Sequence, residues 1–256
     1  MPIAAFFLSH WLLSVFCQTF FLHRYGAHRM FTMSRGWERF FHLVTFVCQG
    51  SSYLDPRAYA ILHREHHAFS DTPRDPHSPR YFKHPWSMMW YTKARYEAYA
   101  HRVAQPEPRF DTGQPEWPTL DKLAQSWTVR FCFVGLYVWF YWAFATQPWM
   151  WVLLPVHFVM GPVQGAIVNW CGHRYGYRNF GGEDDSRNTL PFDLVTLGEL
   201  FQNNHHRFSQ SPKFASRAWE IDPCWPIIKA LAFVGVIDLR EHAQGMPVEA
   251  RRAIRL

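Results

Sequence analysis

The sequence predicts an all-α integral membrane protein with about three transmembrane helices and further amphipathic helices at the membrane surface. Three observations predict it. Residues 1–22 contain no Asp, Glu, Lys or Arg. Neither do residues 131–173, a run of 43. A bilayer core takes about 20 apolar residues per helix, so the longer run fits a hairpin of two spans. Third, all 26 Lys and Arg fall in two blocks, 24–130 and 174–256. The mean hydropathy of -0.23 averages over this uneven chain and hides the pattern. Disorder is excluded, because 48% of residues are apolar and 18% aromatic.

The first span is expected from Ile3 to Leu22. It lacks the basic start and small-residue cleavage site of a signal peptide. The hairpin should turn at Pro148, beside Thr146 and Gln147. Both basic blocks are then cytoplasmic by the positive-inside rule, and the N-terminus lies outside. The expected setting is a bacterial cytoplasmic membrane. The net charge of +6 reads as topology or as attraction to anionic lipid, with no nucleic-acid partner. Phe40–Leu54 is uncharged but only 15 residues long. It is expected to be an amphipathic or re-entrant helix at the cytoplasmic surface, because crossing would split the basic residues between two compartments. Residues 103–121 are rich in Pro and polar groups and read as a loop. The five Cys show no CxxC spacing and read as small buried hydrophobes. No repeat or second domain is visible, so residues 1–256 are expected to form one domain.

Fifteen His is a high count for 256 residues. Three clusters stand out: His23 and His28; His63, His66 and His67; and Gln202, His205 and His206. A further pair, Asn169 and His173, ends the hairpin. On an α-helix, residues i, i+3 and i+4 share a face. His63, His66 and His67 therefore share one, as do Gln202, His205 and His206, and Asn169 with His173. His23 and His28 would lie about 140° apart on a regular helix, which suits two metals better than one. Eight imidazoles exceed the four ligands of a zinc site and suit two first-row metals. The metalloprotease motif HExxH is absent. His10, His42, His84, His101, His157 and His242 fall outside the clusters. His10 and His157 lie within expected spans, where helix–helix hydrogen bonds and function are both live readings.

These motifs resemble the membrane fatty acid desaturase family, closest to its acyl-CoA desaturase-like branch. The family pattern of HxxxxH, HxxHH, NxxxH and a third HxxHH is met by His23/His28, His63/His66/His67, Asn169/His173 and, as QxxHH, Gln202/His205/His206. Asp75-Pro76-His77, Gly176-Tyr177-Arg178 and Gly198-Glu199 also match, and the resemblance runs from about residue 6 to about residue 235. The third box departs from the branch at Gln202. QxxHH also occurs in front-end desaturases, although the cytochrome b5 domain they carry is not visible here. Ile61 and Leu62 precede His63, where animal acyl-CoA desaturases carry an Arg-Asp pair that helps hold the CoA. That leaves acyl-CoA and phospholipid open as carriers.

The resemblance implies two iron ions held by His23, His28, His63, His66, His67, His173, His205 and His206. Gln202 and Asn169 would act at one metal, directly or through water. The implied activity is O2-dependent removal of two hydrogens from a fatty acyl chain, leaving a double bond. Electrons would come from a separate ferredoxin or cytochrome b5 with its reductase. Ligand histidines need their second nitrogen fixed, and Glu65, Asp75, Asp193 and Glu199 are the candidate partners. Trp37, Tyr53, Trp90 and Trp170 are candidates for lining the acyl tunnel. A hydroxylase on the same scaffold and a non-catalytic metal-binding membrane protein are the alternatives.

Overall fold

The computed structural model describes residues 2–239, so His242 lies outside the described residues. Pro2–Ala27 form one 26-residue helix, α1. Its second part, Cys17–Ala27, is wound as a π-helix. There the backbone bonds run to the carbonyl five residues back, and the His28 N–H continues the pattern by donating to His23 O at 3.0 Å. This overturns the expected 140° separation. Residues five apart lie nearly in line on a π-helix, so His23 and His28 present their rings to the same side.

The second helix, α2, spans Arg35–Gln49 rather than Phe40–Leu54. Ser34 caps it by accepting from the Trp37 N–H. Gly50 ends it at φ 51°, with the Tyr137 hydroxyl 2.0 Å from where a Cβ would stand. The helix runs back along α1: Phe41 packs on Phe20 and His42 on Phe21 near the histidine end, while the Cys48 thiol meets Cys17 farther along. Its polar residues His42, Thr45 and Gln49 are buried, and Phe40, Leu43 and Val47 face outward. That is the reverse of a soluble amphipathic helix, which turns its polar face outward. The third helix, α3 (Pro56–Phe69), starts on the Asp55 cap with Pro56 in its first turn. It turns back onto the π segment, so the second histidine cluster returns to the level of the first.

Two more helices, α4 (Pro85–Ala100) and α5 (Pro118–Gln125), flank this unit. The polar stretch from 103 is therefore a loop only as far as Pro118. The expected hairpin begins with α6 (Trp127–Phe144) and turns through a 3-10 helix at Pro148–Leu153. Its return limb is broken into α7 (Leu154–Phe158) and α8 (Met160–Gly172). The break is a 79° bend. Pro162 has no N–H for the Phe158 carbonyl four residues back, and Ser51 Oγ donates to that carbonyl at 3.3 Å instead. Among the described residues one helix, α1, is long and apolar enough to cross a membrane, and the bent limb passes that test only as a joined pair. A short α9 (Gln202–Arg207) and α10 (Cys224–Phe233) complete the helices. Strands β1 (Thr32–Met33) and β2 (Ile237–Asp238) pair antiparallel and fasten the last described residues to the turn after α1.

The largest core cluster joins Phe20, Phe21 and Leu22 of the π segment to Phe31, Phe201 and Phe214. Burying a Phe side chain contributes about 1.5–3 kcal/mol. This cluster clamps the segment before His205 against the segment that carries His23.

Candidate metal centre

Four parts of the chain deliver the eight histidines to one place. The π segment and its end supply His23 and His28, α3 supplies His63, His66 and His67, the end of α8 supplies His173, and α9 supplies His205 and His206. They sort into two groups. The ligand atoms of His23, His28, His63, His67 and His205 all lie within 4.8 Å of one another, and so do those of His66, His173 and His206. The groups adjoin, with the rings of His67 and His206 4.5 Å apart.

Within the first group, His28 Nε2 is 2.6 Å from His63 Nε2, and His205 Nε2 is 3.1 Å from His23 Nε2 and 3.0 Å from His67 Nε2. In the second, His66 Nε2 and His206 Nε2 are 3.2 Å apart. Two nitrogens on one ion at about 2.0–2.1 Å cannot be more than about twice that distance apart, and these spacings meet the condition.

The outer nitrogens set the tautomers. His66 Nδ1 donates to Asp75 at 2.9 Å, His173 Nδ1 to Asp71 at 3.0 Å and His206 Nδ1 to Asp184 at 3.0 Å. Each Nδ1 therefore carries its proton, and each Nε2 keeps a lone pair for the centre of the site. His173 Nε2 is buried with no hydrogen-bond partner, as a ligand nitrogen awaiting an ion should be. His23 Nδ1 lies 2.5 Å from Glu199 Oε2. Behind Glu199 stands Arg24, fully buried, which also pairs with Asp222 at 3.1 Å and lies over the Phe214 ring.

Burial pushes the imidazoles of His28, His63, His67 and His205 well below their ordinary pKa, and the positive charge of neighbouring groups adds to it. His206 is lowered to about 4, mainly by burial, against the opposing pull of Asp184. For His66, burial is outweighed by Asp75 and the pKa is raised. Burial alone would raise Asp71, Asp75 and Asp184, but their histidine partners hold all three carboxyls below the usual range. The arrangement offers imidazole nitrogens toward the centre and carboxylates behind four of the rings, which is the donor set of a metal site.

Several expected residues stand elsewhere. Glu65 turns to Tyr99 Oη at 2.6 Å and Arg95 at 2.8 Å, tying α3 to α4. Asp193 accepts from the N–H groups of Thr196, Gly198 and Leu200, so it holds its own loop. Asp75 and Glu199 do reach histidines. Asp71 and Asp184 were missed; their only sequence signal was an acid a few residues past His67 and another in a Gly-Asp-rich loop. His77 was also passed over as a group in its own right. It is buried with both ring nitrogens unpartnered, and its ring lies 4.4 Å from that of His66. Of the tunnel candidates, Trp37 and Trp90 are on the outside, the latter 75% exposed. Trp170 is half-buried under Arg174. Tyr53 is buried but gives its hydroxyl to Asp121 at 2.6 Å. Aromatic residues are also enriched at membrane interfaces, and the sequence pattern does not separate the two kinds. Gln202 is buried and donates to Glu199 O at 2.7 Å, with its side chain against Gly172. Asn169 is half-buried, one turn before His173. His10 and His157 sit outside the site, their Nδ1 atoms 2.6 Å apart and Tyr141 Oη 3.0 Å from His157 Nε2. They stitch α1, α6 and α7 together.

A helical scaffold that gathers eight imidazoles into two adjoining buried groups, several backed by carboxylates, defines a class of protein: a histidine-rich helical protein with a candidate two-metal centre. The fatty acid desaturase family model matches residues 1–232. The chain is 32% identical over 229 residues to the Delta-9 desaturase-like 5 protein of Arabidopsis thaliana, covering 85% of this chain and 70% of that one. It is 31% identical over 245 residues to an Acyl-CoA 5-desaturase of Anemone leveillei, covering 91% and 70%. It is 28% identical over 232 residues to the sn-1 stearoyl-lipid 9-desaturase of Anabaena variabilis, covering 90% and 80%. The chain belongs to the fatty acid desaturase family.

Proposed function

We propose that this chain, as a single membrane-embedded domain, is an O2-dependent fatty acyl desaturase that holds two iron ions in the two histidine groups. The observation that carries the reading is the pair of adjoining groups, five imidazoles beside three, with ligand atoms within 4.8 Å inside each. Its support is the family and the names of the relatives, all of them desaturases. The first ion would take His23, His28, His63, His67 and His205. The second would take His66, His173 and His206, with Gln202 and Asn169 beside it, directly or through water. Bound iron would supply the O2 activation needed to break an unactivated C–H bond. The chain's own part is to hold the imidazoles in place. Asp71, Asp75, Asp184 and Glu199 hold the outer nitrogens, and burial keeps bulk water from competing for the inner ones. Apolar α1, α6 and the bent limb α7–α8 would form the membrane part, with three passes and the site on the cytoplasmic side. The acyl carrier is a CoA thioester or an acyl-lipid, since a relative named for acyl-CoA and one named for stearoyl-lipid are comparably similar. Electrons would arrive from a separate ferredoxin or cytochrome b5 with its reductase.

The test is lipid profiling of a host that expresses the chain, against a His173→Ala control. New acyl species lighter by two hydrogens, absent from the control, are expected. Species heavier by one oxygen would move the assignment to a hydroxylase. Unchanged lipids from a chain that retains its iron, with an electron donor supplied, would move it to a non-catalytic metal-binding protein.

A further inference from the structure

The segment from Leu190 to Val195 has no regular structure, yet it exposes Phe192, Leu194 and Val195 and shows no exposed charge. Its one acidic residue, Asp193, is fully buried. The segment is fastened to the side of α1, where Trp11 Nε1 donates to Val195 O at 2.8 Å. On that flank of α1, Leu8 and Leu12 are exposed, 58% and 44%. The apolar surface of the segment thus continues that of the helix most able to cross a membrane. Ile221 lies alongside, its N–H bonded to Pro191 O at 3.1 Å, and adds another exposed apolar side chain.

An irregular backbone beside hydrocarbon needs its polar groups satisfied from within. In this segment Pro191 O accepts from Ile221 N, Asp193 O from Gly198 N and Val195 O from Trp11 Nε1, and the Asp193 N–H donates to Ile221 O. The Asp193 carboxylate accepts from Thr196 N at 2.8 Å, Leu200 N at 3.0 Å and Gly198 N at 3.1 Å, and from the Thr196 hydroxyl. The Asp193 side chain thus ties the segment to the Thr196–Leu200 turn that follows it, with the segment's apolar side chains turned out. In water that arrangement strands large side chains for no gain. Beside a lipid-facing helix it has a use.

We propose that Leu190–Val195 is a membrane-inserted loop that seats the histidine-bearing domain against the bilayer, with the lipid acyl region as its partner. This rests on the membrane placement of α1 argued above. Trp11 precedes His23 by twelve positions along α1, the later ones in the π segment. The loop therefore sets the height at which the histidine groups stand above the lipid. Asp193 acts as its internal clamp.

The test is site-directed spin labelling at Phe192 and Leu194 in lipid nanodiscs, in a variant without reactive native thiols. Labels at Leu12 and at the exposed Gly181 serve as lipid and water references. Collision with O2 should exceed collision with a water-soluble nickel chelate at 192 and 194, as at Leu12 and opposite to Gly181. Water-like values at 192 and 194 with a lipid-like Leu12 overturn the loop proposal alone. A water-like Leu12 overturns the membrane placement as well. The unaltered chain gives a second readout: a lipid with a photoreactive group in its acyl chain should cross-link within 190–195, and cross-links confined to the helices would overturn the proposal.

Discussion

The two histidine groups are built on different plans. The five-histidine group draws on the π segment, α3 and α9, and only His23 among its members has a carboxylate at its outer nitrogen. The three-histidine group gives each member its own carboxylate: Asp75 for His66, Asp71 for His173 and Asp184 for His206. One group relies on number of donors, the other on the basicity and fixed orientation that a carboxylate confers on each donor. Loss of one imidazole should therefore be felt unequally. Loss of one carboxylate should be felt mainly at the three-histidine group.

The largest effect is expected from His173→Ala. It leaves two imidazoles at the smaller group, so bound iron should fall by about half and desaturation should be lost. His63→Ala leaves four imidazoles at the larger group and should retain more iron. Metal analysis of the two purified variants compares them, and equal losses would break the distinction.

Next in size is Asp71→Asn. Removing an outer partner of a ligand histidine typically costs 10–100-fold in metal affinity or activity. Asp71 also accepts from Ser78 Oγ and the Asp185 N–H, so the upper part of that range is expected. Glu199→Gln serves one of five ligands and should cost less iron. Competition with a graded chelator ranks the two.

The metal-free chain should show a pH dependence of its own. His206 titrates at about 4 in the folded chain, against an ordinary 6.5. The unfolded chain therefore binds the proton first as pH falls, and stability should be lost from about pH 6.5 downward until about pH 4. Thermal unfolding of chelator-treated protein across that interval checks the sign. A chain that grows more stable on acidification would contradict it.

The smallest effects are expected outside the groups. Gln202→His should keep iron bound, and Gln202→Ala should lower iron content or turnover moderately. Full retention of both in Gln202→Ala would leave Gln202 only its bond to the Glu199 carbonyl. Trp90→Ala should change turnover little, since Trp90 is on the outer face of α4.

The histidine content of the site was legible because ligand spacing on helices is a sequence property. His63, His66 and His67 lie on α3, and their 3.6-residue period reads directly. The pairing of His23 with His28 was not legible. Whether five residues span 140° or nearly one turn depends on π or α winding, which tertiary packing decides. The carboxylates divide the same way. Asp75 and Glu199 sit in motifs beside the boxes, while Asp71 and Asp184 reach their histidines through loops. The apolar helices were legible as charge-free runs, and Pro162 marked a lost helix bond in the return limb, but the Ser51 hydroxyl that meets the freed Phe158 carbonyl lies 107 positions earlier and was not legible. The inward polar face of α2 was misleading for a related reason: amphipathicity states that two faces differ, and only the surroundings say which is outside.

The most direct test of the account is iron stoichiometry with X-ray absorption on the purified, iron-loaded chain and on His173→Ala. The account predicts two irons per chain in an imidazole-rich shell, falling to about one in the variant, with an iron–iron scattering path that disappears. A single iron per chain, or a variant that keeps two, would contradict the assignment of the two groups to two metals.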